Sequence, residues 1–485
     1  MSNSSNSTPP GSRETDGLND HIPHDGNEYL FTDTFPVGTL KGLVIASIAA
    51  LVAIVLFNVL PFETDVNKGL AMLVFIGALW LTEALHVTIT AILVVVVGVA
   101  IGIPDFDTKS ALSNFASPTI YLFFGGFALA AALHVQRLDE KIALKLISMS
   151  GGKLGNAVVL IFFATAMLSM WISNTATAAM MLPLAIGMLS QIDRKNDRGT
   201  FVFVLLGIAY SASLGGLGTI VGSPPNAIAA KSLDLSFVDW MKFGLPIMIV
   251  LTPLLLGAMY LVLKPDLNVR ISSIDQPDIP WTKPRIITII VFAITALSWV
   301  FGKKLGAYFE ISSMDSVIAL SAAVAVVGLG LVSWKQVSDN TDWGVLMLFG
   351  GGIALSNVLK NSGASLVMGE TVANALSTAP LLVVMLVISV FIIFLTEFAS
   401  NTASAALLVP VFVAIAENMG LPTEVLVLII GIGASCAFML PVATPPNAIV
   451  FGTGLIKQSE MVRVGLVLNM VAATIIGLWA YLVLL

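Results

Sequence analysis

A Ser-Asn-Thr motif occurs twice in this chain, each time within apolar sequence that a proline closes. The first copy is residues 173–175 ahead of Pro183, and the second is residues 400–402 ahead of Pro410. Side chains of Ser, Asn and Thr offer oxygen ligands for a cation and N–H or O–H donors for an anion. Each copy could therefore hold a cation and an anion in one place.

Two further elements are repeated in the same order. The Gly-Gly pair at Gly125 matches the pair at Gly351, and Ser-Pro-Pro-Asn at 223–226 matches Thr-Pro-Pro-Asn at 444–447. The three pairs of copies are offset by 221 to 227 residues. Two halves that share interrupted, polar-tipped apolar segments are typical of secondary transporters built from internal repeats.

Composition places the chain in a membrane. Hydrophobic residues make up 57% of it and charged residues 11%, with a mean hydropathy of +0.95. Too few polar side chains exist to cover a soluble globular domain. The single cysteine, Cys436, excludes an intrachain disulfide. The sequence has no glycine-rich phosphate loop, so an ATP-driven pump is unsupported. Its spans contain neither a nucleophile with a base nor a metal cluster, so an enzyme is unsupported as well.

The predicted fold is an all-α polytopic membrane protein of two inverted repeats, with about 11 transmembrane helices plus two re-entrant hairpins. Its predicted parts are a disordered N-terminal tail at 1–36, a first half at 37–264 with a hairpin at 155–190 and a broken helix around 222–226, a cytoplasmic linker at 265–284, and a second half at 285–485 with a hairpin at 381–416 and a broken helix around 443–447. Two amphipathic stretches, near 135–150 and 361–378, are predicted to lie along the membrane interface.

Each Ser-Asn-Thr motif is predicted to form the tip of its hairpin inside the protein. Irregular backbone at membrane depth is tolerated only where protein or a water-filled cavity satisfies its polar groups. One helix ends at such a tip with free carbonyls that suit a sodium ion, and the next begins with free N–H groups that suit a carboxylate. Two full spans joined by a tight surface turn are the alternative.

The distribution of basic residues predicts how the two halves are oriented across the membrane. The base of the first hairpin is flanked by Arg137, Lys141, Lys145, Lys153, Arg194, Lys195 and Arg198, whereas the base of the second has Lys360 beside Glu370, Glu417 and Glu424. The positive-inside rule then places the first hairpin base in the cytoplasm and the second outside. The N-terminus is predicted to be cytoplasmic and the C-terminus outside.

The polar tips carry no Lys or Arg, so a bound dianion would need cations as its counter-charge. Moving a dianion against 100 mV costs about 4.6 kcal/mol, which favours coupling to cations. The alternative is that the small polar residues are packing contacts between helices, worth about 0.6–2 kcal/mol each. The same order in both halves favours a site. The Gly-Gly pairs are interpreted as close-packing points.

Three ionisable residues have open roles. Glu397, three residues before Ser400 of the second motif, could coordinate a cation, carry a proton, or make structural hydrogen bonds. Glu83 and His134 lie near segment ends, where interface contacts explain them.

Together the paired Ser-Asn-Thr and Ser/Thr-Pro-Pro-Asn elements resemble those of the divalent anion:sodium symporter family, and most of all its bacterial dicarboxylate members. The resemblance covers nearly the whole chain after residue 37. It implies a homodimer in the bacterial inner membrane. Each protomer would have a scaffold domain and a transport domain that moves across the bilayer as an elevator.

The resemblance also implies ligand sets, including at least two sodium sites. Sodium 1 would be held by Ser169, Ser173, Asn174 and Gly222, and sodium 2 by Thr396, Ala399, Asn401 and Ala443. The substrate would contact Asn174, Thr175, Ser223, Asn401, Thr402, Thr444 and Pro445. The expected function is sodium-coupled uptake of C4 dicarboxylates such as succinate, malate and fumarate, with no nucleic-acid partner. A sulfate or citrate carrier, an uncoupled anion channel and an exchanger are alternatives.

Overall fold

The computed structural model describes residues 37–194, 197–270, 279–376 and 378–485. In these ranges the secondary structure is helical, apart from one isolated bridge between Lys153 and Arg270. The predicted tail at 1–36, Lys195, and the middle of the predicted linker, residues 271–278, lie outside the described residues.

The first half forms helices α1 (Val37–Val59), α2 (Thr64–Thr82), α3 (Val87–Ala100), α4 (Thr108–Ser113), α5 (Pro118–Val135), α6 (Leu138–Ser148), α7 (Leu154–Ser169), α8 (Asn174–Leu189), α9 (Arg198–Gly215), α10 (Pro224–Ser232) and α11 (Phe237–Leu263). The second half forms α12 (Lys283–Val300), α13 (Gly302–Phe309), α14 (Met314–Gly328), α15 (Trp334–Asp339), α16 (Trp343–Asn361), α17 (Ala364–Leu376), α18 (Leu381–Thr396), α19 (Asn401–Asn418), α20 (Thr423–Gly433), α21 (Pro445–Gly452) and α22 (Gln458–Trp479).

The chain is an all-helical, multi-pass membrane protein. Among the described residues, 9 helices are long and apolar enough to span a bilayer, or up to 10 when α13 and α14, bent by 98° at their junction, count as one span. The sequence predicts about 11. The difference arises because helices such as α3, with 14 residues, and α20, with 11, are shorter than the roughly 20 residues that cross the hydrocarbon core.

Four helices stop inside the molecule at the repeated motifs. Helices α7 and α18 end just before the two Ser-Asn-Thr motifs, and α8 and α19 begin within them. Helices α9 and α20 end several residues before the two Pro-Pro-Asn elements, and α10 and α21 begin at their prolines. Proline suits the first helical turn because it lacks the N–H that would have no partner there.

The most deeply buried helices are those that precede the Pro-Pro-Asn breaks. Every residue of α9 from Thr200 onward is buried, and so is every residue of α20 from Val425 onward. Both stretches are mostly apolar, as expected for helices surrounded by protein. By contrast, only a small part of α1 is buried, which leaves its apolar side chains to face lipid.

Helices of the two halves pack closely against each other at the repeated glycines. Helix α5 packs on α14, and a Cβ at Gly125 would lie 2.6 Å from the Cβ of Ala319. Helix α16 packs in the same way on α3, where a Cβ at Gly351 would lie 2.7 Å from the Cα of Ala91. The interpretation of the Gly-Gly pairs as close-packing points is confirmed.

The described ends of the linker run along the base of the first helix pair. The N–H groups of Leu154 and Gly155, at the start of α7, donate to the carbonyls of Val269 and Leu267, each at 3.0 Å. These bonds satisfy donors that a helix N-terminus leaves open. The linker therefore also caps α7.

A glycine substitution tests this packing. Gly125→Ala should destabilise the protein by about 1–3 kcal/mol, because the new methyl group overlaps Ala319 and pushes α14 away. Gly328→Ala, in α14 with nothing within 4 Å of its Cβ position, is the control and should be neutral or slightly stabilising. Thermal unfolding of both detergent-purified variants measures the difference. Equal melting temperatures would contradict the close contact.

Candidate functional site

Residues of both repeated motifs line a single cavity of ≈ 910 Å³. Its walls include residues predicted from both halves: Ser173, Asn174, Thr175, Gly222, Ser223, Ala399, Asn401, Thr402, Ala443, Thr444 and Pro445. The two remaining predicted residues, Ser169 and Thr396, are fully buried behind this wall. The structure thus brings the predicted site residues into one region, although they come from segments about 220 residues apart in the chain.

At the first tip, a hydroxyl from α7 contacts the start of α8. Ser169 Oγ lies 2.5 Å from Asn174 Oδ1 and 2.7 Å from the carbonyl oxygen of Ala212 in α9. Ser173 caps α8, since its Oγ accepts a hydrogen bond from the N–H of Ala176 at 3.2 Å. The tip is therefore fixed to α9 as well as to its own helices.

The second tip repeats this arrangement. Thr396 Oγ1 lies 2.5 Å from Asn401 Oδ1 and 3.0 Å from the carbonyl oxygen of Ala434, which follows α20. Ser400 caps α19, although its bond from the N–H of Ala403 is long at 3.5 Å. Each half thus places an amide and a backbone carbonyl within hydrogen-bond distance of one hydroxyl.

The asparagine of each Pro-Pro-Asn element holds the preceding break in place. Asn226 Nδ2 donates to the carbonyls of Gly216 at 2.8 Å and Thr219 at 2.7 Å. Asn447 Nδ2 donates to the carbonyls at the corresponding positions, residues 437 and 440, both at 3.1 Å. Both side chains are fully buried. They satisfy carbonyls that the interrupted helices leave open, a role that sequence reasoning did not assign to them.

Four helix N-termini line the cavity. Helices α8, α19, α10 and α21 begin at Asn174, Asn401, Pro224 and Pro445, and all four residues line its wall. The helix dipole makes all four of these ends positive. The first N–H groups of α8 and α19 have no partner inside their helices, whereas α10 and α21 each begin with two prolines, which have no N–H. Backbone amides of α8 and α19 could therefore bind an anion here.

Oxygen atoms converge on the Asn174 side chain. Its Oδ1 position lies 2.5 Å from Ser169 Oγ, 3.1 Å from the carbonyl of Ala212 and 3.2 Å from the carbonyl of Gly222. In this orientation the amide oxygen faces the two carbonyl acceptors, and a half-turn of the amide lets its nitrogen donate to all three oxygens. The cluster contains three of the four residues predicted for sodium 1, Ser169, Asn174 and Gly222, whereas Ser173 caps α8.

Glycine is required at the same place. A Cβ at Gly216 would lie 2.6 Å from Asn174 Oδ1 and 2.9 Å from the carbonyl oxygen of Gly222. A side chain here would occupy the space among the oxygens. The short turn at Gly216–Gly218 therefore keeps this space open.

The rest of the cavity wall was not predicted. It includes the polar side chains of Glu83, His86, Asn340 and Asp342, and of the lining residues in the described part of the chain none is Lys or Arg. Glu83, interpreted from the sequence as a residue with interface contacts near a segment end, follows α2 and lies in the cavity wall. His134, interpreted in the same way, contacts Asp139 at 2.9 Å.

Glu397 lies behind the second tip and does not line the cavity. It is 1% exposed and accepts hydrogen bonds from the N–H groups of Phe438 at 2.6 Å, Met439 at 2.8 Å and Leu440 at 2.9 Å, and from Asn469 Nδ2 at 2.7 Å. Of the roles that the sequence left open, these contacts favour the structural one.

Comparison with known proteins identifies the family. The sequence profile described as the sodium:sulfate symporter transmembrane region matches residues 41–485. An uncharacterized transporter of Haemophilus influenzae is 57% identical over 88% of this chain and 94% of its own length. The sodium-dependent dicarboxylate transporter SdcS of Staphylococcus saprophyticus is 30% identical over 92% of each chain.

A solved structure agrees on the fold. The YdaH transporter of Alcanivorax borkumensis superposes with a TM-score of 0.57 at 16% identity, over 81% of this chain and 98% of that one. The resemblance that the paired motifs indicate is confirmed by the profile match. The chain belongs to the sodium:sulfate symporter family, and it is a multi-pass membrane transporter rather than an enzyme.

Proposed function

We propose that this protein couples the uptake of a C4 dicarboxylate, such as succinate, malate or fumarate, to the entry of sodium ions. The observation that carries the proposal is the cavity in which both Ser-Asn-Thr tips and both Pro-Pro-Asn helix starts meet without a lining Lys or Arg. Helix N-termini can bind two carboxylates there, but they supply no whole positive charge. Sodium ions would supply it.

The cavity wall favours a carbon chain between the two charges. Apolar side chains of Phe127, Val221, Phe398 and Val442 lie in it beside the polar tips. A dicarboxylate presents two anionic ends and an apolar middle, whereas sulfate has no apolar surface. The printed name of the Staphylococcus relative, a sodium-dependent dicarboxylate transporter, supports the same substrate class.

Two sodium ions and one substrate are assigned to the paired elements. Sodium 1 would contact Ser169, Ser173, Asn174 and the carbonyl of Gly222, and sodium 2 would contact Thr396, Ala399, Asn401 and Ala443. The substrate would lie between them against Asn174, Thr175, Ser223, Asn401, Thr402, Thr444 and Pro445. The oxygen clusters at the two tips support these sets.

The architecture proposed to carry the substrate consists of two inverted repeats. The two tips would be re-entrant hairpins in a transport domain that moves as an elevator against a scaffold domain, in a homodimer. The protein would lie in the bacterial inner membrane with its N-terminus in the cytoplasm and its C-terminus outside. The basic residues at the base of the first hairpin support this orientation.

Sulfate is the second candidate substrate, because the description of the matching profile names a sodium:sulfate symporter.

Proteoliposomes should accumulate labelled succinate only under an inward sodium gradient, since the dianion alone has to move against an inside-negative potential. Excess unlabelled dicarboxylate should abolish this signal and sulfate should not. Uptake without sodium would contradict the coupling, and competition by sulfate alone would reverse the choice of substrate.

Truncation of the tip asparagines tests the site. Asn174→Ala and Asn401→Ala should each lower initial uptake by about 10- to 100-fold, because each loses an amide worth about 1.5–3 kcal/mol to a charged ligand. Asn340→Ala, exposed in the wall of the same cavity, is the matched control and should transport normally. Initial rates are compared at equal reconstituted protein. Normal rates in both tip variants would show that the tips serve only in packing.

A methyl group tests the first oxygen cluster. Gly216→Ala should abolish sodium-dependent uptake while the protein remains folded, because the new Cβ fills the space between Asn174 and Gly222. Gly187→Ala, in α8 of the same helix pair with nothing within 4 Å of its Cβ position, should leave uptake unchanged. The sodium dependence of the initial rate is measured for both. A Gly216→Ala protein with the sodium dependence of the unsubstituted protein would place the cation elsewhere.

A further inference from the structure

A second cavity, of ≈ 360 Å³, lies along the same four helices as the ≈ 910 Å³ cavity of the Ser-Asn-Thr tips, the tip cavity. Helices α5, α10, α16 and α19 line both. In α16, Leu348 lines the tip cavity and the next residue, Phe349, lines the second cavity. In α5, Phe123 lines the tip cavity and Ile120, one turn earlier, lines the second. The two cavities are therefore successive parts of one crevice between these helices.

An aromatic pair lies at the boundary between the two cavities. Phe123 of α5 and Phe349 of α16 meet edge to face, with ring centroids 5.0 Å apart. Phe123 is 2% exposed and Phe349 is 4% exposed. Because one ring lines the tip cavity and the other lines the second cavity, the pair separates a solute in the second cavity from the tips.

The charged side chains of the two cavities differ in sign. The tip cavity has the carboxylates of Glu83 and Asp342, and among its described lining residues none is Lys or Arg. The second cavity has two lysines, Lys231 and Lys360, and one carboxylate, Glu417. A concave surface lined mainly by one sign of charge concentrates ions of the opposite sign. The second cavity therefore favours an anion.

The two lysines are available to a ligand. Lys231 and Lys360 lie in the last turns of α10 and α16, and both side chains are exposed. In the described part of the chain, neither lysine forms an ion pair, and Glu417 forms none either. The helix dipole favours a lysine at a helix C-terminus. It does not explain why both ammonium groups border one cavity without a carboxylate partner.

The remaining wall suits a carbon chain with polar ends. Apolar side chains of Ile353, Val409 and Val413 line the cavity beside the hydroxyl of Ser356 and the amide of Asn357. A dicarboxylate could place its carboxylates near the lysines and its methylene groups against the apolar residues. Sulfate has no apolar surface to match this wall.

We propose that the second cavity is a separate binding site for a dicarboxylate dianion, which Lys231 and Lys360 hold before it reaches the Ser-Asn-Thr tips. The ligand class rests on the proposed function. Lys360 lies at the base of the second hairpin, on the side predicted to be extracellular, so the site would concentrate the dianion where uptake begins. Because lysines supply the positive charge, binding here does not need sodium.

Protection of an introduced thiol tests the site in the full-length, detergent-purified protein. Ser356→Cys places a thiol in the cavity wall, and the native Cys436 is 0% exposed. The rate of modification by N-ethylmaleimide, a neutral reagent, is measured in choline buffer without sodium. Succinate should slow this reaction, whereas choline chloride at the same ionic strength should not. If Ser356→Cys does not fold, Ser232→Cys in the same wall gives the same measurement.

Charge variants in the Ser356→Cys protein give opposite shifts. Lys231→Gln and Lys360→Gln should each raise the succinate concentration for half-maximal protection about three- to tenfold, because each removes a charged hydrogen-bond donor. Glu417→Gln should lower it, because it removes a like charge. Lys304→Gln, an exposed lysine of α13 outside the cavity wall, is the matched control and should leave it unchanged.

Two results would overturn the inference: no protection by succinate, or equal shifts in the Lys231→Gln and Lys304→Gln proteins. Neither result would affect sodium-coupled succinate uptake, so the proposed function would stand. Protection by sulfate but not by succinate would overturn the dicarboxylate assignment of this site. Uptake that proves independent of sodium would reject the proposed coupling alone, because the protection measurement contains no sodium.

Discussion

The structure depends on how polar backbone groups are satisfied where helices stop inside the bilayer. Each N–H or C=O left open in hydrocarbon costs several kcal/mol, so an interrupted membrane helix needs partners at its ends. Here the partners are buried side chains, and the two asparagines among them occupy matched positions. Asn226 and Asn447 take the open carbonyls of the two breaks, and Glu397 takes three open N–H groups of the second. These contacts stabilise the interrupted helices at both breaks.

The same constraint separates structural groups from binding groups. Carbonyls and amides that turn into the protein are occupied by buried side chains such as Asn226, which has no exposed surface. The helix N-termini at Asn174, Asn401, Pro224 and Pro445 instead line the cavity. The first N–H groups of α8 and α19 are the ones left for an anion, because α10 and α21 begin with prolines, which have no N–H. A transporter site built in this way needs few charged residues, because the interrupted backbone provides most of its polarity.

The sequence could indicate which residues meet at the cavity because they recur as short local motifs. Each Ser-Asn-Thr tip and each Pro-Pro-Asn start carries its own cap or break, which depends on neighbouring residues. What it could not predict depends on contacts between distant segments: the packing of Gly125 on Ala319, the place of Glu83 in the cavity wall, and the four donors around Glu397. Hydropathy also overcounts spans, because it does not distinguish short apolar helices such as α3 from helices long enough to span a bilayer.

Contacts between the two halves bear on how the site could open. Ser223 Oγ lies 3.2 Å from Ser435 Oγ, and Tyr210 donates to the carbonyl of Phe438, so each break contacts the other half directly. Arg198 adds an ion pair with Glu460. Separating the two breaks from each other would break these bonds at the same time. Moving both breaks together would keep them, which is compatible with the proposed elevator.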